Sequence, residues 1–366
     1  MEKVITKFSV LVVGGGTKER LIPAMVLAES LRQKGIMLIF GGEPGGIEYK
    51  LLGETGYEVV KINPYSGEKG FFKSFLQKIK KKSAVDHAGK VIEMKSVNAV
   101  LCLGGFSAIP VAEAAKEKNI PVLIMEQNCV FSPANKEISS YVTKAYVPFE
   151  ETASGLNPSK FLASGVPVRR EILDAAPRNI PTDKKLMTIF TCKKNSYSIN
   201  ELVKSFFLRY PEMRKEFFVI HETGEKDVAD LQIFYDKNGI ESLCYMHYEG
   251  RGKYYKTADL LICRPSSDVV SETMGTGSTA VFVALPPNIE PHHTSNAVVL
   301  TRKGCGYIVE DSGSMHGKVK KLYSAVSDFL RNPDRIKRNV MNLQFPVAVR
   351  KICNDIERIL TGASGR

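Results

Sequence analysis

The 366-residue sequence contains no tryptophan, no C-x-x-C and no apolar run near the length of a membrane span, and each absence closes off a class of protein. Its seven cysteines (102, 129, 192, 244, 263, 305 and 353) are scattered without metal-like or framework spacing. Such an odd, unpatterned set reads as reduced thiols in cytoplasm rather than as zinc ligands or disulfides. A bilayer-spanning helix needs about 20 consecutive apolar residues. The opening residues 1–7 begin a strand rather than a signal peptide. A dinucleotide fingerprint is incomplete, because Gly14, Gly15 and Gly16 follow a strand but the third glycine of G-x-G-x-x-G would be Glu19. No cofactor and no metal are expected, and no repeat or low-complexity segment breaks the chain.

Acidic residues are scarce relative to basic ones: 51 lysines and arginines against 39 aspartates and glutamates give a net charge of +12. The surplus implies an anionic partner. Nucleic acid is not expected, since no recognition motif accompanies the charge. Anionic lipid or a phosphate-bearing substrate fits, with most lysines simply solvated. The apolar fraction of 43% is that of a globular protein, and the length is too great for one ordinary core, so two domains are expected.

Short apolar runs alternate with helical patterns. Residues 7–13 read as a strand, 24–34 as a helix, 37–40 as a strand, and 47–52 open another helix. The alternation predicts an α/β protein whose parallel sheets are covered on both faces. It thins over residues 167–185, a polar, proline-marked linker, and restarts with strands at 186–191, 217–221, 260–263 and 280–284. The predicted domains are 1–166 and 186–345, two doubly wound, Rossmann-like units facing a central cleft. Residues 347–360 form a last amphipathic helix, with Val349, Ile352, Ile356, Ile359 and Leu360 on one face.

Residues 104–135 are the most informative stretch. The buried strand 98–103 places Gly104-Gly105 in a strand-to-helix turn, and a second strand, 122–125, delivers Glu126-Gln127-Asn128 to the same rim. Open α/β sheets bind ligands outside the carboxyl ends of their strands. In the second half, strand 260–263 leads into Arg264-Pro265-Ser266-Ser267, and Glu272 lies in the helix that follows. A carboxylate there can accept hydrogen bonds from a ribose diol; taken alone it reads equally well as a solvated helix residue. A polar loop, 292–297, comes to that rim as well.

Taken in order, these residues resemble the MurG family of glycosyltransferases over nearly the whole chain. Gly15-Gly16-Thr17 with Ile22-Pro23-Ala24 is similar to the family's opening loop, and Gly104-Gly105-Phe106 with Pro110 to its second. Glu126-Gln127-Asn128 with Asn135 resembles a family signature, and Ser164-Gly165-Val166-Pro167-Val168-Arg169 resembles the T-G-N-P-V-R hinge. Residues 221–224, 258–264, Glu272 and 292–297 fall in family order. The resemblance implies a GT-B fold with a final helix, 346–362, packing back on the first domain. It implies inverting transfer of N-acetylglucosamine from UDP-GlcNAc to lipid I, giving lipid II for peptidoglycan. It implies a peripheral enzyme on the cytoplasmic face of the cell membrane, with cell-wall synthesis proteins as further partners. The acceptor would meet Gly15, Gly16, Thr17, Arg20, Gly104, Gly105, Phe106, Asn128 and Asn135. UDP-GlcNAc would meet Arg169, Cys192, Lys193, Lys194, Tyr248, Arg264, Glu272, His293 and Asn296.

Several family positions differ. The G-G-T-G-G-H loop is here Gly15-Gly16-Thr17-Lys18-Glu19-Arg20, G-G-S-Q-G-A is Phe190-Thr191-Cys192-Lys193-Lys194-Asn195, and R-A-G-A is Arg264-Pro265-Ser266-Ser267. A family glutamine is His293, and a loop tyrosine is Phe106. Lys193, Lys194 and Arg264 would supply charge where backbone amides are lost. Arginine stays protonated at neutral pH, so Arg20 cannot serve as the base that the family's histidine is often proposed to be. Glu126 is the first candidate for that role and Glu19 the second. The rival reading is a degenerate member that binds nucleotide sugar or lipid without turnover. Finally, Phe71, Phe72, Phe75, Leu76 and Ile79 share a helical stripe rimmed by Lys78, Lys80, Lys81 and Lys82. Periodicity alone allows a core helix there, and the resemblance favours an interfacial helix on anionic lipid.

Overall fold

The computed structural model describes residues 7–53, 55–65, 74–191, 196–246, 250–343 and 347–362. The chain divides into two compact units, Met1–Pro167 with Pro346–Arg366, and Val168–Phe345. Each is an open, wholly parallel α/β sheet, the Rossmann-like pair of the GT-B fold.

The amino unit contains β1 (Phe8–Val13), β2 (Ile36–Gly42), β3 (Glu58–Lys61), β4 (Ala99–Cys102), β5 (Val122–Met125), β6 (Lys144–Val147) and β7 (Phe161–Ala163), ordered β3-β2-β1-β4-β5-β6-β7. Strand β1 shows why its sequence is apolar throughout. Val10 and Val12 pack on one face with Leu27, Leu31 and Ile352, while Leu11 and Val13 pack on the other with Val100, Ala108 and Ala112. A strand covered on both faces leaves no position for a polar residue. The helix Lys18–Gln33 starts earlier than residue 24 and holds Pro23 inside it. Proline removes one helical N–H, but the buried stripe Leu21, Ala24, Leu27, Ala28 and Leu31 outweighs that loss. The last helix, Ala348–Thr361, buries Ile352, Cys353 and Ile356 in the amino unit. It is pinned by a Lys34–Glu357 ion pair at 2.5 Å and by Tyr146, whose hydroxyl donates to Asp355 Oδ2 at 3.2 Å.

The carboxyl unit contains β8 (Lys185–Phe190), β9 (Phe217–Thr223), β10 (Ser242–Met246), β11 (Leu260–Cys263), β12 (Ala280–Ala284) and β13 (Tyr307–Glu310), ordered β10-β9-β8-β11-β12-β13. The stretch read as a linker holds the helix Arg170–Leu173, which is seated on this unit. A Cβ at Gly252 would lie 2.5 Å from the Glu171 carbonyl oxygen, and one at Gly275 would lie 2.9 Å from Leu173 Cδ2. No helix among the described residues is long and apolar enough to cross a membrane.

Candidate active site

Each sheet reverses its winding at one place, between β1 and β4 in the amino unit and between β8 and β11 in the carboxyl unit. The crevice outside the strand ends at such a point is where these sheets take ligands. In the amino unit two glycine loops touch there. Gly105 N–H donates to the Gly14 carbonyl at 2.8 Å, and a Cβ at Gly105 would lie 2.7 Å from that same oxygen. Gly104 adopts φ +99°, with Ser132 Oγ 2.5 Å from where a Cβ would be. No side chain fits at either position. Gly16, Thr17 and Glu19 are exposed on the loop and first helical turn, Arg20 is half-buried, and Phe106 stands 38% exposed on the neighbouring loop.

Glu126 lies close by with a different task from the one expected. It is 1% exposed. Its Oε1 accepts from Gln127 N–H at 3.0 Å, Asn128 N–H at 3.1 Å and Asn128 Nδ2 at 3.2 Å. Its Oε2 accepts from Ser132 N–H and from Asn135 Nδ2, each at 2.8 Å. A carboxylate so occupied turns no lone pair towards an incoming hydroxyl. We therefore assign Glu126 to positioning rather than to proton transfer, because it holds Ser132 and Asn135, against which Gly104 rests.

Arg264, expected on phosphate, is also built in. It is 1% exposed, donates to the Val283 carbonyl at 2.9 Å and to Ser198 Oγ, and pairs with Asp311 at 2.8 Å. It thus ties together the ends of β11, β12 and β13, its charge neutralised by Asp311. Asn296 likewise pins the helix Pro291–Arg302 by donating from Nδ2 to the Pro265 carbonyl at 2.9 Å.

Glu272 and His293 differ from these. Glu272 is 6% exposed; Arg169 donates to its Oε1 at 3.0 Å, while its buried Oε2 has no partner among the described residues. Burial and then the charge of Asp268 raise its pKa, opposed by Arg251 and Arg169. His293 is also buried, with no partner for Nδ1 among the described residues. Burial, aided by the Arg264 charge, pushes its imidazole down to about 4. Two buried polar atoms thus lack a hydrogen-bond partner among the described residues, one in the helix after β11 and one in the helix after β12.

The sequence did not reveal the pair formed by Glu222 and Arg251. Glu222, at the end of β9, is 0% exposed and accepts from Arg251 Nε at 3.1 Å and from Nη2. The guanidinium lies 4.8 Å from the Phe190 ring centroid. Glu222 sits in the family-ordered run 221–224, but nothing local marks a partner 29 residues away. Cys192, Lys193, Lys194, Tyr248, Phe71 and Phe72 lie outside the described residues. Phe75 and Leu76 fall in the opening turn of the helix Ser74–Met94, outside the described side chains. Ile79 of that helix is 51% exposed, whereas Ala84, Val85, Ala88, Val91 and Ile92 face the core.

His221 is a buried core histidine. Asn200 donates from Nδ2 to Thr223 Oγ1 at 3.2 Å and Asp227 Oδ2 at 3.1 Å, so its Oδ1 accepts from His221 Nε2 at 3.1 Å. Nδ1 then accepts from the Tyr235 hydroxyl at 2.7 Å, which assigns a neutral tautomer from the network. Burial holds its pKa down to about 3, against 6.5 ordinarily. The unfolded chain therefore takes up a proton below pH 6.5 that the folded chain refuses, and stability present above that pH is lost on acidification. His221 alone should contribute a loss of about 2 kcal/mol between pH 7 and pH 5. Urea midpoints at both pH values should fall less in His221→Gln than in the parent; equal falls would remove histidine from the account.

Two wholly parallel Rossmann-like sheets, each with one switch point at its strand ends, give the GT-B fold. The chain belongs to glycosyltransferase family 28. The family's N-terminal domain matches residues 10–147 and its C-terminal domain residues 194–352. It is 27% identical over 335 residues to the UDP-N-acetylglucosamine--N-acetylmuramyl-(pentapeptide) pyrophosphoryl-undecaprenol N-acetylglucosamine transferase of Geobacter metallireducens, covering 89% of this chain and 91% of that one. The protein of the same name from Geotalea uraniireducens is 27% identical over 361 residues, covering 95% and 97%. The crystal structure of MurG from Acinetobacter baumannii has the same fold, with a TM-score of 0.77 at 22% identity over 96% of this chain and 99% of the other.

Proposed function

We propose that this chain transfers N-acetylglucosamine from UDP-N-acetylglucosamine to N-acetylmuramyl-(pentapeptide) pyrophosphoryl-undecaprenol, with inversion at the anomeric carbon. The reading rests on the family 28 domains in both units and on relatives whose names state this reaction. The observation that carries the donor side is Glu272, whose buried Oε2 has no partner among the described residues. A buried acceptor without a hydrogen bond costs about 1–3 kcal/mol, which a ribose hydroxyl donating to it recovers. Arg169 holds the other oxygen in place, and neutral His293 adds a buried Nδ1 without a partner among the described residues. On the acceptor side, Gly15, Gly16 and Thr17 lead into the helix Lys18–Gln33, whose amino end favours a diphosphate, with Lys18 and Arg20 adding positive charge. Ile79, Lys80 and Lys82 are exposed on the helix Ser74–Met94, which supports a lipid-facing surface there, a lipid-linked acceptor and a peripheral station on the cytoplasmic face. No observation favours the reading without turnover.

Glu272→Ala tests the donor assignment. Calorimetric titration with UDP should show an affinity loss of about 1.5–3 kcal/mol, the worth of hydrogen bonds to a charged group. Wild-type affinity in the folded variant would take the ribose away from Glu272.

A further inference from the structure

Arg20 cannot accept a proton and Glu126 has its oxygens occupied, yet another carboxylate adjoins the first glycine loop. Glu48 is in the first turn of the helix Ile47–Leu52, just beyond β2, and its side chain reaches back to the loop after β1. It is 6% exposed, and Gly16 N–H donates to its Oε1 at 2.8 Å. Three glycines make the space it fills. A Cβ at Gly15 would lie 2.8 Å from Oε1, one at Gly46 would lie 3.0 Å from Oε2, and one at Gly42 would lie 2.7 Å from the Glu48 Cβ. Two chain segments, the loop after β1 and the turn after β2, thus leave side-chain volume to one carboxylate. The tip of the loop remains open, since no atom lies within 4 Å of where a Cβ on Gly16 would be. Oε2 has no hydrogen-bond partner among the described residues, in contrast to both oxygens of Glu126.

We propose that Glu48 is the general base of the transfer; the proposal rests on the reaction proposed above. Gly16 N–H fixes Oε1 and so orients the carboxylate, leaving Oε2 for the acceptor. The acceptor hydroxyl oxygen forms a bond to the anomeric carbon of N-acetylglucosamine. The bond from that carbon to the diphosphate oxygen breaks, its electron pair leaves with UDP, and the hydroxyl proton passes to Glu48, which returns it to water.

Glu48→Gln separates this role from loop support. The glutamine keeps the side chain's shape, and its carbonyl still accepts from Gly16 N–H, but its neutral amide cannot take the proton. With UDP-N-acetylglucosamine and a short-chain analogue of the lipid acceptor, kcat should fall by about 10²–10⁴-fold, the usual worth of a general base. UDP affinity and acceptor KM should stay near wild type, and the acidic limb of the kcat–pH profile should disappear. A folded Glu48→Gln variant with kcat within about tenfold of wild type overturns the proposal, as does a larger loss that leaves the acidic limb in place. Both results leave the transfer reaction standing. If the wild-type chain binds UDP yet transfers no sugar, the reaction itself falls, and Glu48 as its base falls with it.

Discussion

Arg251→Met should destabilise the carboxyl unit by about 3–5 kcal/mol, as expected when one partner of a buried ion pair is removed. The change takes the bidentate guanidinium from Glu222, a carboxylate that is 0% exposed at the end of β9. Methionine still fills the space over the Phe190 ring, so the loss is electrostatic rather than a cavity effect. The double variant Arg251→Met, Glu222→Leu should recover most of the loss, because replacing a whole buried pair by apolar residues is often neutral or stabilising. A double-mutant cycle on urea midpoints measures this. A single-variant loss under about 1 kcal/mol would put the pair in solvent, where ion pairs contribute little.

The central strands were legible because both of their faces are buried. Leu260–Cys263 and Ala280–Ala284 are continuous apolar runs in the sequence and strands with those same bounds in the structure. The edge strands β3, β7, β10 and β13 gave no such run, and the short β6 went unread as well. An edge strand is covered less completely: β10 is half-buried along most of its length, and Glu58 and Lys61 of β3 are exposed. Pro23 hid the start of the first helix for a related reason, since local preference was overruled by packing.

The site was legible where backbone geometry dictates the residue and obscure where a distant partner does. Gly104 and Gly105 could be placed at a ligand rim from the strand before them; the positive φ of Gly104 beside Ser132, and the contact of Gly105 with Gly14, explain why they are glycines. Sequence spacing does not show which buried charges neutralise one another. The place of Arg264 after β11 points to phosphate, whereas the structure sets Asp311 against it, and Glu48 carries no signal beyond a carboxylate following two glycines. Glu272 differs from Arg264 in that one of its oxygens has no partner among the described residues, which is the feature the proposed ribose contact uses.

Glu126→Gln should cost the amino unit about 2–6 kcal/mol, although it exchanges only an oxygen for an amino group. In one orientation the new NH₂ faces Ser132 N–H and Asn135 Nδ2; in the other it faces the N–H groups of Gln127 and Asn128 and the Asn128 amide. Either way donors meet a donor, and each buried donor left without an acceptor costs about 1–3 kcal/mol. The turn that supports Gly104 loosens with it, so acceptor binding should weaken while UDP binding persists. Urea denaturation followed by acceptor titration separates the two effects. A variant that unfolds at the wild-type midpoint but loses about a hundredfold in turnover would show that the carboxylate is open to substrate, and would return the role of base from Glu48 to Glu126.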